Sequence, residues 1–357
     1  MSTHFDVRFY ESGDEYGIVD LLKIAFPFWA NLESPIDYWK WRYLDTYYGC
    51  RVMVAISDKK IIGVDHSMFQ QIKICDSVYN STFGAESSTH PNYMKIGVYS
   101  KILKLIYQYR LENNFRFSYY NSENPIVIKD AEKKKRSIFP FPMSQMTRMK
   151  NTSQIDSLTK RFGFITLKML NNITNSLIFD SKTGEDFIIV EISKFDDDVN
   201  RFYEQIRLNY DFIIEKNQGY LNWRYCDPRG GKYIIYKAVR DGKFLGFVVL
   251  ELRKSGNGFA GSIADLMVLP GEDEVVKAFF KTACDYFDDL GVNAINYGVV
   301  KGHPYQRISS RFGFLDSSMI SKMLTLCRFE QIESEYDLLK SSSSDKIFFN
   351  LGDVFLH

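Results

Sequence analysis

"YWKWRYLDTYYGCRVMVAISDKKIIGV" runs from Tyr38 to Val64, and "YLNWRYCDPRGGKYIIYKAVRDGKFLGFV" runs from Tyr220 to Val248. Both carry Trp-Arg-Tyr (Trp41 to Tyr43, Trp223 to Tyr225), then an aspartate, then glycine, then an apolar run. Both cross an Asp-x-Lys turn (Asp58 to Lys60, Asp241 to Lys243) into a second apolar run holding Gly63 or Gly246. Asp-centred turns between apolar runs are hairpin signals. A repeat of this length decides the architecture, because the chain is then two copies of one supersecondary plan.

The flanks extend the correspondence. "DVRFYESGDEYGIVDLLKIAF" reads as a short strand, a turn and a helix with Asp14 at its N-cap. "FIIVEISKFDDDVNRFYEQI" repeats that plan, with Asp196 to Asp198 at the helix start. After each hairpin come a strand, a helix (Val98 to Asn113, Glu272 to Leu290), a further strand ("FRFSYY", "NAINYGVV") and a final helix. The expected fold class is α+β, with two tandem domains, each a mixed, mostly antiparallel sheet flanked by helices. The first domain covers residues 1–150. The second covers 181–357 and ends in "IFFNLGDVFLH", which reads as a terminal strand docking back. Between them, in 151–180, Ile155, Leu158, Phe162, Ile165, Leu167 and Leu170 recur at helical spacing and predict an ordered linker helix.

Bulk composition narrows the function. The 357 residues are 45% hydrophobic and 25% charged, enough for two sizeable cores. A net charge of +1 argues against a nucleic-acid partner read by a broad basic surface. Cys50, Cys75, Cys226, Cys284 and Cys327 are odd in number and lack metal-ligand spacing, so they read as reduced thiols with no metal. "MSTHFDVRFY" holds no apolar signal segment, and no apolar run approaches the roughly 20 residues that span a bilayer. The expected setting is the cytoplasm, with no membrane partner.

"STHPNYMKIGVYSKILKLI", Ser88 to Ile106, is where chemistry first enters. Val98, Ile102, Leu105, Ile106 and Tyr109 share one face of the predicted helix, which packs on the sheet. The opposite end presents unpaired N–H groups and a positive dipole end, a ready anion site. Gly97 removes a side chain there, Lys95 adds a cation and Ser100 a hydroxyl. The plainer alternative is that Gly97 only permits close helix–strand packing.

The string "THPNYMKIGVYSKIL" resembles the pyrophosphate-binding signature of the GNAT acyltransferases, commonly Thr-x-Pro-x-Tyr-Arg-x-x-Gly-Ile-x-x-x-Leu. "VRFYESGDEYGIVDLL" is similar to that family's opening strand and helix, and the two halves together look like a tandem GNAT protein over nearly the whole chain. The resemblance implies acetyl-CoA or another acyl-CoA as co-substrate. It implies that Ser87, Ser88 and Thr89 end the strand that pairs with the pantetheine arm. It implies that Lys95, Ile96, Gly97, Val98, Tyr99 and Ser100 surround the pyrophosphate, with Asn124 near the cofactor. Departures from the pattern are Met94 at the usual Arg or Gln position, and Lys95 and Tyr99 where glycines are common. The family's frequent tyrosine acid is also absent, its place falling near Ala131.

Acyl transfer from a thioester to an amine needs a proton acceptor, a polarised carbonyl and a departing thiolate. Glu86 is the carboxylate nearest the expected acyl position and is the candidate base; its alternative role is a surface or ion-paired strand residue. In a regular strand Glu86 and Ser88 share one face and Ser87 and Thr89 the other, unless a bulge changes the parity. Asp65 and His66 on the neighbouring strand come next, and His303 reads as a cap or core histidine. "KKKR" at 133–136 reads as solvated helix surface, with a nucleotide phosphate as its alternative contact. Trp39, Trp41 and Trp223 are expected to anchor the cores of the two halves. In the second half Gly271 precedes Glu272, Asp273 and Glu274, which would repel a pyrophosphate, so this half reads as a scaffold or substrate-side domain. The expected function is transfer of an acyl group from acyl-CoA to an amine of a small-molecule acceptor, an amino sugar among the candidates. The rival readings are an aminoacyl-tRNA-dependent transferase on the same duplicated fold and a non-catalytic acyl-CoA sensor or interaction protein.

Overall fold

The computed structural model describes residues 4–122, 125–133, 138–149, 186–255, 258–318 and 324–353. The first half runs β1 (Asp6–Phe9), α1 (Asp14–Ala25), α2 (Pro27–Ala30), α3 (Pro35–Tyr43), β2 (Cys50–Ser57), β3 (Lys60–Ile74), β4 (Ser77–Thr89), α4 (Val98–Glu112), β5 (Phe117–Ser122), α5 (Pro125–Lys133) and β6 (Met143–Met149). The second opens with β7 (Ile188–Ile192), α6 (Asp198–Ile206), β8 (Phe212–Ile214), α7 (Gln218–Cys226), β9 (Tyr233–Arg240), β10 (Lys243–Ser255) and β11 (Gly258–Val268). It continues through α8 (Asp273–Asp289), β12 (Ala294–Val300), α9 (Pro304–Arg311), β13 (Leu315–Asp316), β14 (Leu324–Phe329), α10 (Glu333–Ser341) and β15 (Ile347–Phe348). The linker helix expected over 151–180 and most of "KKKR" lie outside the described residues. Among the described residues no helix is long and apolar enough to cross a membrane.

Each half builds a mixed sheet, as the duplicated pattern predicts. One sheet is ordered β1-β2-β3-β4-β5-β14, with β8 and β15 attached through β3; the other is β13-β6-β12-β11-β10-β9-β7. The Asp58 and Asp241 turns close the two hairpins, with φ of 50° and 49° at those aspartates. The helix after β1 is capped by Gly13 in the left-handed region, and Asp14 is its first residue, held by Arg8 at 2.7 Å.

The strand exchange is not written in the repeat. β6, on the first-half side of residue 150, pairs along its whole length with β12 of the second sheet. β14, from the second half, pairs Leu324 to Phe329 against Ser122 to Phe117 of β5. The first half therefore lends one strand, β6, and the second lends three, β14, β8 and β15, so the sheets do not divide where the sequence repeat divides.

Trp41 and Trp223 lie on the junction between the halves, and each anchors the other as much as its own core. Their rings stack at 5.4 Å, and each indole N–H donates to the other's backbone carbonyl at 3.1 Å. Reciprocal bonds between equivalent residues are the signature of a pseudo-two-fold axis. Asp45 and Asp227, the repeat's paired aspartates, both meet Arg229, at 2.6 and 2.8 Å.

Candidate active site

β4 and β5 pair in parallel only at Ser81, Thr82 and Phe83 against Phe117, Ser118 and Tyr119. Beyond that point β4 runs on to Thr89 and β5 to Ser122, and they part. The edge of β4 that faces β5 is thereby left with backbone donors and acceptors, which need partners.

A bulge sits at the same place. Ala85 opposes His66 and Ser88 opposes Val64, so Glu86 and Ser87 together oppose Asp65. Glu86 takes φ of 47°, left-handed for a residue with a Cβ, as a bulge requires. Downstream of the bulge the regular alternation holds. Glu86 turns towards α3, where the Tyr43 hydroxyl donates to its carboxylate and Arg42 lies at 3.8 Å. Ser87 turns the other way and donates to Asp65.

His66 is not available as a base. It is fully buried, the Trp39 indole N–H donates to its Nε2 at 3.0 Å, and Tyr43 stacks on its ring at 3.8 Å. With Nε2 accepting, Nδ1 carries the proton and donates to the Ala85 carbonyl at 3.3 Å. Burial pushes its pKa down to about 3, against the opposing pull of that carbonyl. Burial also raises the Asp65 carboxyl, with the Ser87 hydroxyl opposing.

The loop after β4 turns through a short 3-10 helix at Pro91–Tyr93, capped by His90. Lys95 and Gly97 both have positive φ, 67° and 90°, and Gly97 caps α4. A Cβ at Gly97 would meet nothing within 4 Å, so close helix–strand packing is not its role; its φ of 90° is what calls for glycine, and the space beside it is open, as it is at Gly271. The first helical backbone bond is made by Lys101 N–H to Gly97 O at 3.1 Å; among the described residues, the N–H groups of 95–100 have no backbone acceptor. The first turn of α4 carries no acidic residue. Ser87, Ser88 and Thr89 thus end the splayed strand, and Lys95, Ile96, Gly97, Val98, Tyr99 and Ser100 form the open mouth. Val98 itself is buried under the helix. Asn124 lies outside the described residues.

The second half repeats this geometry and then closes it. β11 and β12 pair only from Ala260 to Ile263 against Ala294 to Tyr297, and β11 bulges at Ala264. Asp265 stands three residues before the partner of Gly246, as Glu86 stands before the partner of Gly63. Tyr225 donates to Asp265 at 3.0 Å, repeating the bond of Tyr43 to Glu86. Here, however, the gap is filled by the chain itself. Asn350 bridges to Val299, and Gly352 sits so close that a Cβ would lie 2.8 Å from Asp265 Oδ2 and 2.5 Å from the Tyr225 hydroxyl. Lys216 is buried between Asp265 at 2.8 Å and Asp353 at 3.0 Å. Burial would lower the Lys216 pKa, but the two carboxylates outweigh it and raise it. Burial lifts Asp353 to about 6, with Lys216 opposing. At the mouth of α8, Glu272 is held bidentate by Arg240 at 2.7 and 3.0 Å. His303 caps α9 through Tyr305 N–H and is buried, a structural role.

Sequence reasoning missed Tyr43, Arg42 and the plug. The Trp-Arg-Tyr repeat was the available signal for Tyr43, since a tyrosine conserved between two copies beside an acidic strand residue invites the pairing. Nothing in the primary structure joined residues 350–353 to Asp265.

Compared with models of protein families and with curated proteins, the sequence matches none. Solved structures are similar over most of the chain. A probable N-acyltransferase of unknown function from Enterococcus faecalis is 11% identical, with a TM-score of 0.63 over 93% of this chain and 74% of that one. N-myristoyltransferase from Saccharomyces cerevisiae with bound myristoyl-CoA is 9% identical, with a TM-score of 0.60 over 100% of this chain and 86% of that one. A GCN5-related N-acetyltransferase from Anabaena variabilis is 10% identical, with a TM-score of 0.59 over 92% and 74%. The chain has the duplicated GNAT fold.

Proposed function

We propose that this protein is an acyltransferase that moves an acyl group, acetyl first among them, from acyl-CoA to an amine of a small-molecule acceptor. The observation that carries this reading is the open α4 mouth at Gly97 set beside the splayed edge of β4. Free N–H groups at a helix start, with Lys95 and Ser100 beside them, suit a pyrophosphate. The edge of Ser87 to Thr89 suits the amide groups of a pantetheine arm, which would add to the sheet as a strand does. That similar folds include an enzyme holding myristoyl-CoA supports the choice of donor class.

In this reading the acceptor nitrogen forms a bond to the thioester carbonyl carbon and the carbon–sulfur bond breaks. Glu86 takes the proton that the nitrogen loses, and the thiolate leaves to be protonated from solvent. Backbone N–H groups at the bulge polarise the carbonyl oxygen. No covalent intermediate with the protein is required. An amino sugar is the acceptor class to test first. The second half serves as scaffold and acceptor-side wall.

Titration of the whole chain with acetyl-CoA in a calorimeter should give one site per chain. The Glu272→Gln, Asp273→Asn, Glu274→Gln triple variant should still give one, because residues 350–353 fill the second gap. A second site in that variant would show that the carboxylates alone closed it. Absence of binding by the wild-type chain would overturn the reading.

A further inference from the structure

The bond between Tyr43 and Glu86 occurs in both halves, and the duplication supplies its own control. In each half the tyrosine of Trp-Arg-Tyr leaves the helix before the hairpin and donates to a carboxylate on the bulged strand. In the second half that pair is sealed: Asp265 side-chain exposure is 0%, and Lys216, Asn350 and Gly352 pack around it. In the first half the Glu86 side chain keeps 12% exposure at the gap between β4 and β5. α3 also grips the bulge through its backbone, since Trp39 holds His66 and His66 holds the Ala85 carbonyl. One helix thus fixes both the carboxylate and the peptide next to it.

We propose that Tyr43 is a positioning residue for acyl transfer: its hydroxyl aims and holds the Glu86 carboxylate in the open gap, whereas Tyr225 performs only the structural half of that role. This rests on the functional reading above. Tyr43 does not exchange a proton in the reaction. Burial raises its hydroxyl pKa well above the ordinary tyrosine value, with Arg42 opposing and Glu86 adding to the rise, so it stays a donor throughout. A donor hydrogen bond fixes the direction in which a carboxylate presents its oxygens. Arg42, with 2% side-chain exposure, adds a fixed positive charge behind the same carboxylate.

The test compares Tyr43→Phe with Tyr225→Phe in the full chain, because phenylalanine keeps the ring and removes only the donor. Acetyl-CoA binding is followed by calorimetry, and release of the CoA thiol by a colorimetric thiol reagent, with water and a panel of amines as acceptors. Tyr43→Phe should leave acetyl-CoA affinity unchanged and lower the turnover on the order of tenfold, the scale of one charge-assisted hydrogen bond. The loss should fall on kcat with the KM for acetyl-CoA unchanged, a split that a merely structural tyrosine would not produce. Tyr225→Phe should lower the denaturation midpoint and leave kcat and KM alone. Should Tyr43→Phe fail to fold, Glu86→Asp draws the carboxylate back by one methylene from the same hydroxyl and should show the same loss at unchanged affinity. Wild-type kcat in Tyr43→Phe, or in Glu86→Asp, overturns the proposal. Equal loss of turnover in Tyr43→Phe and Tyr225→Phe overturns it too. A wild-type chain that binds no acetyl-CoA, or binds it and releases no thiol, overturns the functional reading and this inference with it.

Discussion

The gap between β4 and β5 and the gap between β11 and β12 are the same piece of architecture in two conditions. Both have the short parallel pairing, the bulge, the acidic residue on the bulged strand, the tyrosine that meets it, and a left-handed glycine before the next helix. One ends at an uncluttered helix mouth and an unpaired strand edge. The other is crossed by Asn350 to Asp353, faced by Glu272, Asp273 and Glu274, and neutralised inside by Lys216. The difference teaches that the fold supplies the shape of a gap, while a few residues decide whether the chain fills it or, in the proposed reading, leaves it to a ligand.

The largest way to break this comparison is at Lys216. Lys216→Met leaves two buried carboxylates without their cation and should cost about 3–5 kcal/mol of unfolding free energy. Lys95→Met at the open mouth should change stability negligibly and weaken acetyl-CoA binding a few-fold. Urea unfolding of both variants decides it; similar stability in the two would mean that the plug is not held by charge.

Glu86→Gln is next. It keeps shape and the partner Tyr43, and should lower acyl transfer roughly a hundredfold or more, with acetyl-CoA affinity retained. The loss should shrink as pH rises, because a larger share of acceptor amine is then already deprotonated. The matching change, Asp265→Asn, should leave turnover intact. A Glu86→Gln enzyme with full neutral-pH turnover would make the two carboxylates equivalent structural residues after all.

Gly97→Glu puts an anion and a Cβ at the open mouth. Acetyl-CoA affinity should fall more than tenfold, about 1.4 kcal/mol. Gly97→Ala separates backbone strain from charge: it should lose some stability at φ of 90° but little affinity, since open space surrounds the new methyl. Unchanged affinity in a folded Gly97→Glu variant would remove the mouth from the site.

The last comparison is in pH dependence. Asp353 is lifted by burial to about 6 in the native state, so the folded chain holds that proton more tightly than the unfolded chain does. Its contribution to stability is full below the ordinary carboxylate range and is lost as pH climbs through about 6. The slope is at most about 1.4 kcal/mol per pH unit for one proton. Asp353→Asn should flatten the fall of the urea midpoint between pH 4 and 7. Parallel curves would show that no proton is taken up there on folding.

Parts of the candidate site are legible in the sequence and others are not, for reasons that differ residue by residue. Gly97 and Lys95 could be read because a helix mouth is local: its apolar period and its cap are consecutive residues. Glu86 could be nominated, but its direction could not, because a bulge resets parity and only strand pairing reveals one. The sequence offers His66 as a base on the ordinary histidine pKa, and burial against Trp39 and the Ala85 carbonyl removes that role. The repeat assigns Trp41 and Trp223 to the cores of two halves, whereas the two indoles close on each other across the junction.

By itself the sequence determined the duplication, the hairpins, the amphipathic α4 and the acidic start of α8, since each rests on spacing within one turn or one strand. Only the tertiary structure decided that β6, β8, β14 and β15 change sheets, that Tyr43 and Tyr225 meet carboxylates on distant strands, and that residues 350–353 fill one gap and spare the other. The physical reason is that a strand edge offers the same N–H and C=O groups whichever chain segment arrives. Which segment pairs with which edge is settled by the side chains that must be buried together, and those are brought together only when the whole chain has folded.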